Sequence, residues 1–289
     1  MLLDNLDEVV PRGAVAQALA KVTRLFPETK IVAACRRSAL PPFLDSLGTS
    51  ELNVAELALL EGEQMRLLVE SHLELEAARA LWERITARGL LEVASNPFAL
   101  WRLVSVWEQQ GEAAEVSDNR GQIMSAYVRC LLARAPNGAD AAPLRAARGR
   151  QALAAWAFTM TRSHLTARPR EEAVAEFTAL LGGRREEGRL SLESAVVCKV
   201  LTYAACSLVG PTLYLRFDRR ELQDLFAAEH LAQGRGEVDV GALVKDAEWG
   251  WEPIILLTGI LPPSERLEWM SRVLASTEDP VLLLSLIHI

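Results

Sequence analysis

Apolar positions recur along most of this chain at intervals of three and four residues, and that spacing predicts helix over the greater part of its length. Ala14, Val15, Ala18, Leu19, Val22 and Leu25 fall on one face of a helix over 14–25, which Pro27 closes. After residue 60 the same period predicts helices at 61–72, 74–95, 97–110, 120–135, 147–163, 170–181, 191–206, 219–233, 240–247, 252–260 and 264–275. Strand patterns are few. Residues 1–4 and Ile31-Val32-Ala33-Ala34-Cys35 are short apolar runs on either side of helix 14–25. Strand, helix, strand in that order predicts a right-handed βαβ unit of a parallel sheet. Residues 51–57 partly alternate apolar and polar side chains and predict a third, shorter strand. Residues 209–217, with Gly210-Pro211 near their start, predict a hairpin strand or wing, while 136–143 and 182–189 read as loops from their Pro, Asn and Gly content.

Composition narrows the class. Of the 289 residues 50% are hydrophobic and 24% charged, enough apolar matter for a sizeable core and too much for global disorder. No window holds 18 consecutive uncharged apolar residues, and no basic, then apolar, then cleavable segment opens the chain. The expectation is a cytoplasmic protein without a membrane span. The net charge of −7 is unevenly spread: −1 over 1–58, −5 over 59–116, +5 over 117–235 and −6 over 236–289. Overall acidity argues against a general nucleic-acid binder, although one internal segment is basic. Cys35, Cys130, Cys198 and Cys206 form no CxxC pair and have no His at ligand spacing, so buried free thiols are expected rather than zinc or disulfides.

Both ends suggest a piece of something longer. The first strand has only three apolar residues before Asp4, fewer than the usual five to six or so, so it is either unusually short or begun upstream. Leu284-Ser285-Leu286-Ile287-His288-Ile289 resembles the translation of a transposon-end adaptor used to tag sequencing libraries. Residues 284–289 are accordingly expected to be a library scar outside the fold.

The candidate chemistry begins where the first strand ends. Leu2-Leu3-Asp4-Asn5-Leu6-Asp7-Glu8 places three carboxylates directly after it, and C-terminal strand ends of a parallel sheet face the ligand crevice. Asp4 there suits Mg²⁺, usually through water, when a nucleotide supplies phosphate oxygens. Asp7 and Glu8 could orient or deprotonate an attacking water; the alternative is a loop of solvated acids. The second strand ends in Cys35-Arg36-Arg37, which sets a guanidinium at the same sheet edge, where it could read a phosphate.

At this point the chain resembles the NACHT family of the STAND class of P-loop NTPases. LLDNLDEV looks like its Walker B segment and IVAACRR like its sensor strand, separated by a helix of about the right length. Asn96-Pro97-Phe98-Ala99-Leu100 looks like the NP-x-x-L segment that closes the small helical lid. FDRRELQDLFAAEHL, beginning at Phe217, resembles the F-x-H-x-x-x-Q-E-x-x-A-A block of the winged-helix region. WEPIILLTGIL, from Trp251, resembles the opening of the helical repeats that often follow. The resemblance covers residues 1–283, and it implies a fold that is mainly α with a small α/β part. Residues 1–58 would be the C-terminal part of an NTPase core and 59–116 a small helical lid. Residues 117–235 would form a winged-helix-like domain, and 236–283 the start of HEAT-like repeats.

What the resemblance implies about function is a switch operated by ATP and ADP with Mg²⁺. Asp4 matches the magnesium-associated Walker B acid, and Asp7 and Glu8 match the paired acids that support hydrolysis. Arg36 matches the sensor arginine, with Arg37 as the register alternative. Pro97 matches the lid proline that contacts adenine, although proline in a first helical turn is also routine. Arg219 stands where the family often carries a phosphate-sensing histidine; arginine still binds phosphate but cannot lose its charge. Gln223-Asp224 replaces Gln-Glu and is expected to be structural. The parent would be a slow ATPase that self-associates.

One motif is absent. No GxxxxGK[ST] occurs, and neither Lys21 nor Lys30 follows a glycine-rich turn, so the backbone cradle and lysine for the β- and γ-phosphates are missing. In the family that loop precedes Walker B, so truncation at Met1 is the expected cause. The resemblance further implies that its strand lies between the Walker B and sensor strands, leaving each with an unpaired edge. This chain is therefore expected to bind ATP poorly and to be inactive alone. The main rival is a winged-helix DNA-binding regulatory protein, carried by Arg168, Arg170, Arg184-Arg185 and Arg219-Arg220. Those arginines could equally solvate helical faces or meet the acidic lid, and nucleic acid is the less favoured partner. A helical scaffold fits 60–283 but leaves Asp4 and Arg36 unexplained.

Overall fold

The computed structural model describes residues 1–3, 12–35, 53–114, 117, 119–134, 147–206, 212–234, 238–280 and 282. The chain divides into two units, Met1–Ala58 and Leu59–Ile289. It is mainly helical with a small sheet part, and no helix among the described residues is long and apolar enough to cross a membrane.

The first unit is a βαβ arrangement. Strand β1 (Leu2–Leu3) leads to α1 (Arg12–Leu25) and then β2 (Val32–Ala33). The strands are parallel and directly paired, Leu2 opposite Val32 and Leu3 opposite Ala33, with the Val32 N–H donating to the Met1 carbonyl at 3.0 Å. The unpaired edges expected between them are not found: the two strands pair directly, each satisfying one edge of its backbone on the other. Both are shorter than the apolar runs that predicted them. The third strand expected over 51–57 is absent from 53–57, where Val54 and Leu57 are exposed, so alternation there has no buried face to fix a register.

The second unit opens with α2 (Gly62–His72), α3 (Leu75–Ala87), a short α4 (Leu91–Ala94) and α5 (Pro97–Gln110). A single helix over 74–95 was expected. Gly89, at φ +68°, ends α3 instead, and the Leu90 N–H reaches back to the Ile85 carbonyl at 2.9 Å. This left-handed glycine stop satisfies carbonyls that would otherwise be orphaned. A 3₁₀ turn (Gly111–Ala113) leads toward α6 (Arg120–Arg134), which packs on α5.

Next come α7 (Ala147–Arg162), β3 (Ala167–Pro169), α8 (Arg170–Leu180), α9 (Arg185–Val197), β4 (Leu201–Cys206) and β5 (Thr212–Phe217). The strands form an antiparallel sheet of order β3-β5-β4, with Ala167 and Thr202 both opposite Arg216. A helix over 191–206 was expected; the chain instead turns at Lys199, φ +59°, and enters β4. The Val200 N–H bonds the Ala195 carbonyl at 2.9 Å, capping α9 with a lysine where glycine is usual. The loop expected at 182–189 is helical from Arg185, and β3 had no signal in the sequence.

Helix α10 (Arg220–Gln233) lies across α7 and is followed by α11 (Val240–Lys245), α12 (Trp251–Ile260) and α13 (Pro263–Leu274). One continuous core runs from Met65 on α2 to Leu282. The boundaries drawn at 116 and 235 fall inside this unit. Trp156 of α7 is the hub of the middle: its ring meets Phe177 edge-on at 6.3 Å and Phe217 at 5.6 Å, and Phe217 in turn meets Phe226 at 6.0 Å.

Candidate functional site

The heads of α5 and α10 come together, and the local sequence explains why each begins where it does. The Asn96 carboxamide oxygen accepts the backbone N–H groups of Phe98 (2.9 Å) and Ala99 (3.2 Å), and Pro97 fills the first helical position. Both choices suit a helix start, since two orphan donors are capped and proline has none to lose. Phe98 and Arg102 are one turn apart, so they share a face of α5. Arg219, the residue before α10, lays its guanidinium 4.1 Å from the centroid of the Phe98 ring, and Arg102 lies 5.1 Å from the same centroid.

Arg102 is the unusual member. Only 4% of it is exposed, its Nε has no hydrogen-bond partner among the described residues, and its Nη2 stands 3.9 Å from Glu221 on the first turn of α10. Burial pushes its guanidinium down to about 10; Glu221 opposes that shift, while the like charges of Arg120 and Arg219 add to it. It remains a cation at neutral pH. Arg120 itself is engaged with Glu252 at 2.6 Å. Glu221→Gln is expected to destabilise the chain by about 2 kcal/mol, below the range for a fully buried pair because Glu221 keeps part of its exposure. The urea midpoint measures this, and an unmoved midpoint would show that Arg102 needs no counter-charge.

Of the residues singled out by sequence, Arg219 is brought by Phe98 to the head of α5, whose first position is the exposed Pro97. The guanidinium is partly exposed and carries a fixed positive charge, a chemistry that fits a phosphate. Asp4, Asp7, Glu8, Arg36 and its alternative Arg37 lie outside the described residues. Gln223 is structural: its amide donates to Thr161 Oγ1 and to the Leu165 carbonyl, both at 3.1 Å, tying α10 to the end of α7. Asp224 is buried 4.0 Å from Arg220, which also stacks on Trp249 at 3.6 Å. Phe98, Arg102 and Glu221 were not foreseen. The signal for Arg102 was available: a lone arginine among Leu100, Leu103, Val104 and Val106 must be buried and must find a partner.

Several arginines of the basic segment pair within it, while Arg120, Arg219 and Arg220 reach Glu252, Phe98 and Trp249 outside it. Arg168 meets Glu176 at 2.9 Å, Arg170 meets Glu171 at 3.1 Å and Arg185 meets Glu171 at 3.4 Å. Arg184 lies 4.0 Å from Glu187, and Arg189 holds Glu193 at 2.6 Å and Glu186 on its other side. The two carboxylates raise the Arg189 pKa above its ordinary value, Glu186 contributing most. The histidines serve packing: His164 contacts Asp246 at 2.8 Å and stacks on Trp249, and His230 lies against Phe158, its pKa pushed down by burial. Cys130 and Cys198 are buried and Cys35 is partly buried, and no group of three His, Cys, Asp or Glu is placed to hold a metal among the described residues.

No protein-family model matches the chain, and no curated protein matches it.

Proposed function

We propose that this chain is part of a nucleotide-operated signalling switch of the NACHT type, reaching from the Walker B segment to the start of a helical repeat array. The observation that carries the reading is that Arg219 lies on the ring of Phe98, the residue next to Pro97 at the head of α5. The resemblance had assigned Pro97 and Arg219, far apart in sequence, to the base and the phosphate of one ligand. Further support comes from topology. The order helix, short strand, two helices, hairpin over 147–217, with its β3-β5-β4 sheet, suits a winged helix. The order strand, helix, parallel strand suits a Walker B strand followed by a sensor strand, although the direct pairing of β1 and β2 departs from the intervening strand that the resemblance implied, and α11, α12 and α13 suit the opening of a HEAT-like array.

In this reading Asp4 holds Mg²⁺ through water, Asp7 and Glu8 act on the attacking water, and Arg36 reads the terminal phosphate. Arg219 contacts phosphate as a fixed charge. Bound diphosphate keeps the lid closed; exchange for ATP opens it and permits self-association, and slow hydrolysis resets the state. A phosphate-binding loop must come from residues beyond these 289, because no GxxxxGK[ST] lies among them. The gene upstream of Met1 is the test: a GxxxxGKS or GxxxxGKT within about 60–90 residues is expected, and its absence there sinks the reading. Equilibrium dialysis of the 289-residue chain should find no micromolar ATP binding; finding it would overturn the dependence on that loop.

The same winged-helix order favours a second reading, a DNA-binding regulatory protein in which α9 enters the major groove. Against it, Arg185 and Arg189 of α9 are already met by Glu171, Glu186 and Glu193. Duplex DNA binding is expected to be absent at about 0.15 M salt; a steep fall of affinity with salt would favour the second reading instead.

A further inference from the structure

Two contacts join α5 to the first turn of α10, and nothing in nucleotide recognition requires either. Phe98 gives its ring to Arg219, and Arg102, one turn further along α5, gives its charge to Glu221. The contributions are complementary. The aromatic face attracts the cation through its quadrupole, and half-burial of Phe98 reduces the water competing for it. Arg102 approaches the same ring and is itself buried, so it holds Phe98 from the side of α5 while Arg219 covers it from the side of α10. The side chain of Arg219 is 42% exposed, and its other charged neighbour among the described residues, Asp218, stands at 4.0 Å. Its guanidinium thus has one well-formed partner, the ring.

We propose that Phe98 and Arg219, backed by Arg102 and Glu221, form a latch that holds α5 and the helices before it closed on α10. A phosphate that turns the Arg219 guanidinium off the ring would couple ligand contact to the release of this latch. The contact itself needs no nucleotide; only its role as a brake rests on the switch reading.

Hydrogen exchange of the 289-residue chain without nucleotide tests the latch, comparing Phe98→Leu, Arg219→Gln, the double variant and Arg219→Lys with the parent chain. Leucine keeps most of the apolar volume and removes the quadrupole. Each of the first two is expected to speed exchange over residues 98–106 by about 3- to 10-fold. The double variant should be no faster than the faster single, and Arg219→Lys should recover part of the protection. Parent-like exchange in Phe98→Leu, or multiplied effects in the double variant, would overturn the latch. An equal rise across 147–162 would do so too, since it would mean general loosening; Arg219→Gln, a change at a partly exposed side chain, guards against misreading a poorly folded Phe98 variant. A chain with no nucleotide site passes or fails identically, so failure of the latch and failure of the switch reading stay separable.

Discussion

Trp156→Ala is expected to destabilise the second unit by about 3–5 kcal/mol, the range for emptying a buried aromatic site. For a unit of this size that lowers the thermal midpoint by roughly 6–20 °C. The indole is 1% exposed and touches aromatic rings from α8 and β5. Its Nε1–H donates to Glu176 at 2.8 Å, and Glu176 is the carboxylate that holds Arg168. Alanine therefore opens a cavity, takes the edge-on partner from Phe177 and unties a buried-to-surface hydrogen bond in one step. Trp156→Phe separates these effects: most of the volume remains and only the donor is lost, so about 1 kcal/mol is expected. Thermal and urea melts of the two variants check the ordering, and equal midpoints would show that packing at this hub contributes little.

Gly259→Val should be at least as damaging, by overpacking rather than by a cavity. Helices α6 and α12 cross at a pair of glycines. A Cβ on Gly259 would collide with the Asn119 side-chain oxygen and come 3.0 Å from the Cα of Gly121; a Cβ on Gly121 would sit 2.6 Å from the Leu256 carbonyl. Most of these obstacles are backbone and cannot rotate away. Asn119 is also fixed, because its oxygen accepts the Gln122 N–H at the start of α6. The helices must separate, which costs about 3 kcal/mol or more. Gly121→Ala and Gly259→Ala crowd the same crossing, so the double variant should cost clearly less than the sum of the singles. Strict additivity in urea melts would place the two glycines in independent environments and count against this contact.

Legibility in the sequence followed burial. Helix α5 is read at its true limits because Asn96 and Pro97 mark its start and apolar residues fill one face. Helices α7, α8, α10, α12 and α13 fall within a residue or so of their periodic runs for the same reason. The failures sit where one pattern serves two structures. Leu201-Thr202-Tyr203-Ala204-Ala205-Cys206 is as compatible with a buried helix as with a strand, and only the turn at Lys199 decides for β4. That turn asks a lysine to adopt a glycine conformation, which no composition rule signals. At the candidate site Pro97 and Arg219 were legible as motif positions. Burial of Arg102 was legible from its apolar neighbours, but Phe98 and Glu221 as partners were not, because a cation–π contact and an ion pair between distant helices leave no local period.

The continuous core of the second unit also sets the energetic scale on which any switch in this chain must work. Val69, Leu100, Val128, Leu153, Phe226 and Leu257 belong to one apolar body that joins the lid-like helices to the rest. Swinging the first helices away would strip some of these side chains of their cover, so the open form is a rare member of the ensemble at rest. A ligand that takes such a population from one in a hundred to ninety-nine must prefer the open form by about 5.5 kcal/mol. In the proposed switch, surface that open copies bury against each other would add to what the ligand supplies, which would tie activation to protein concentration as well as to nucleotide.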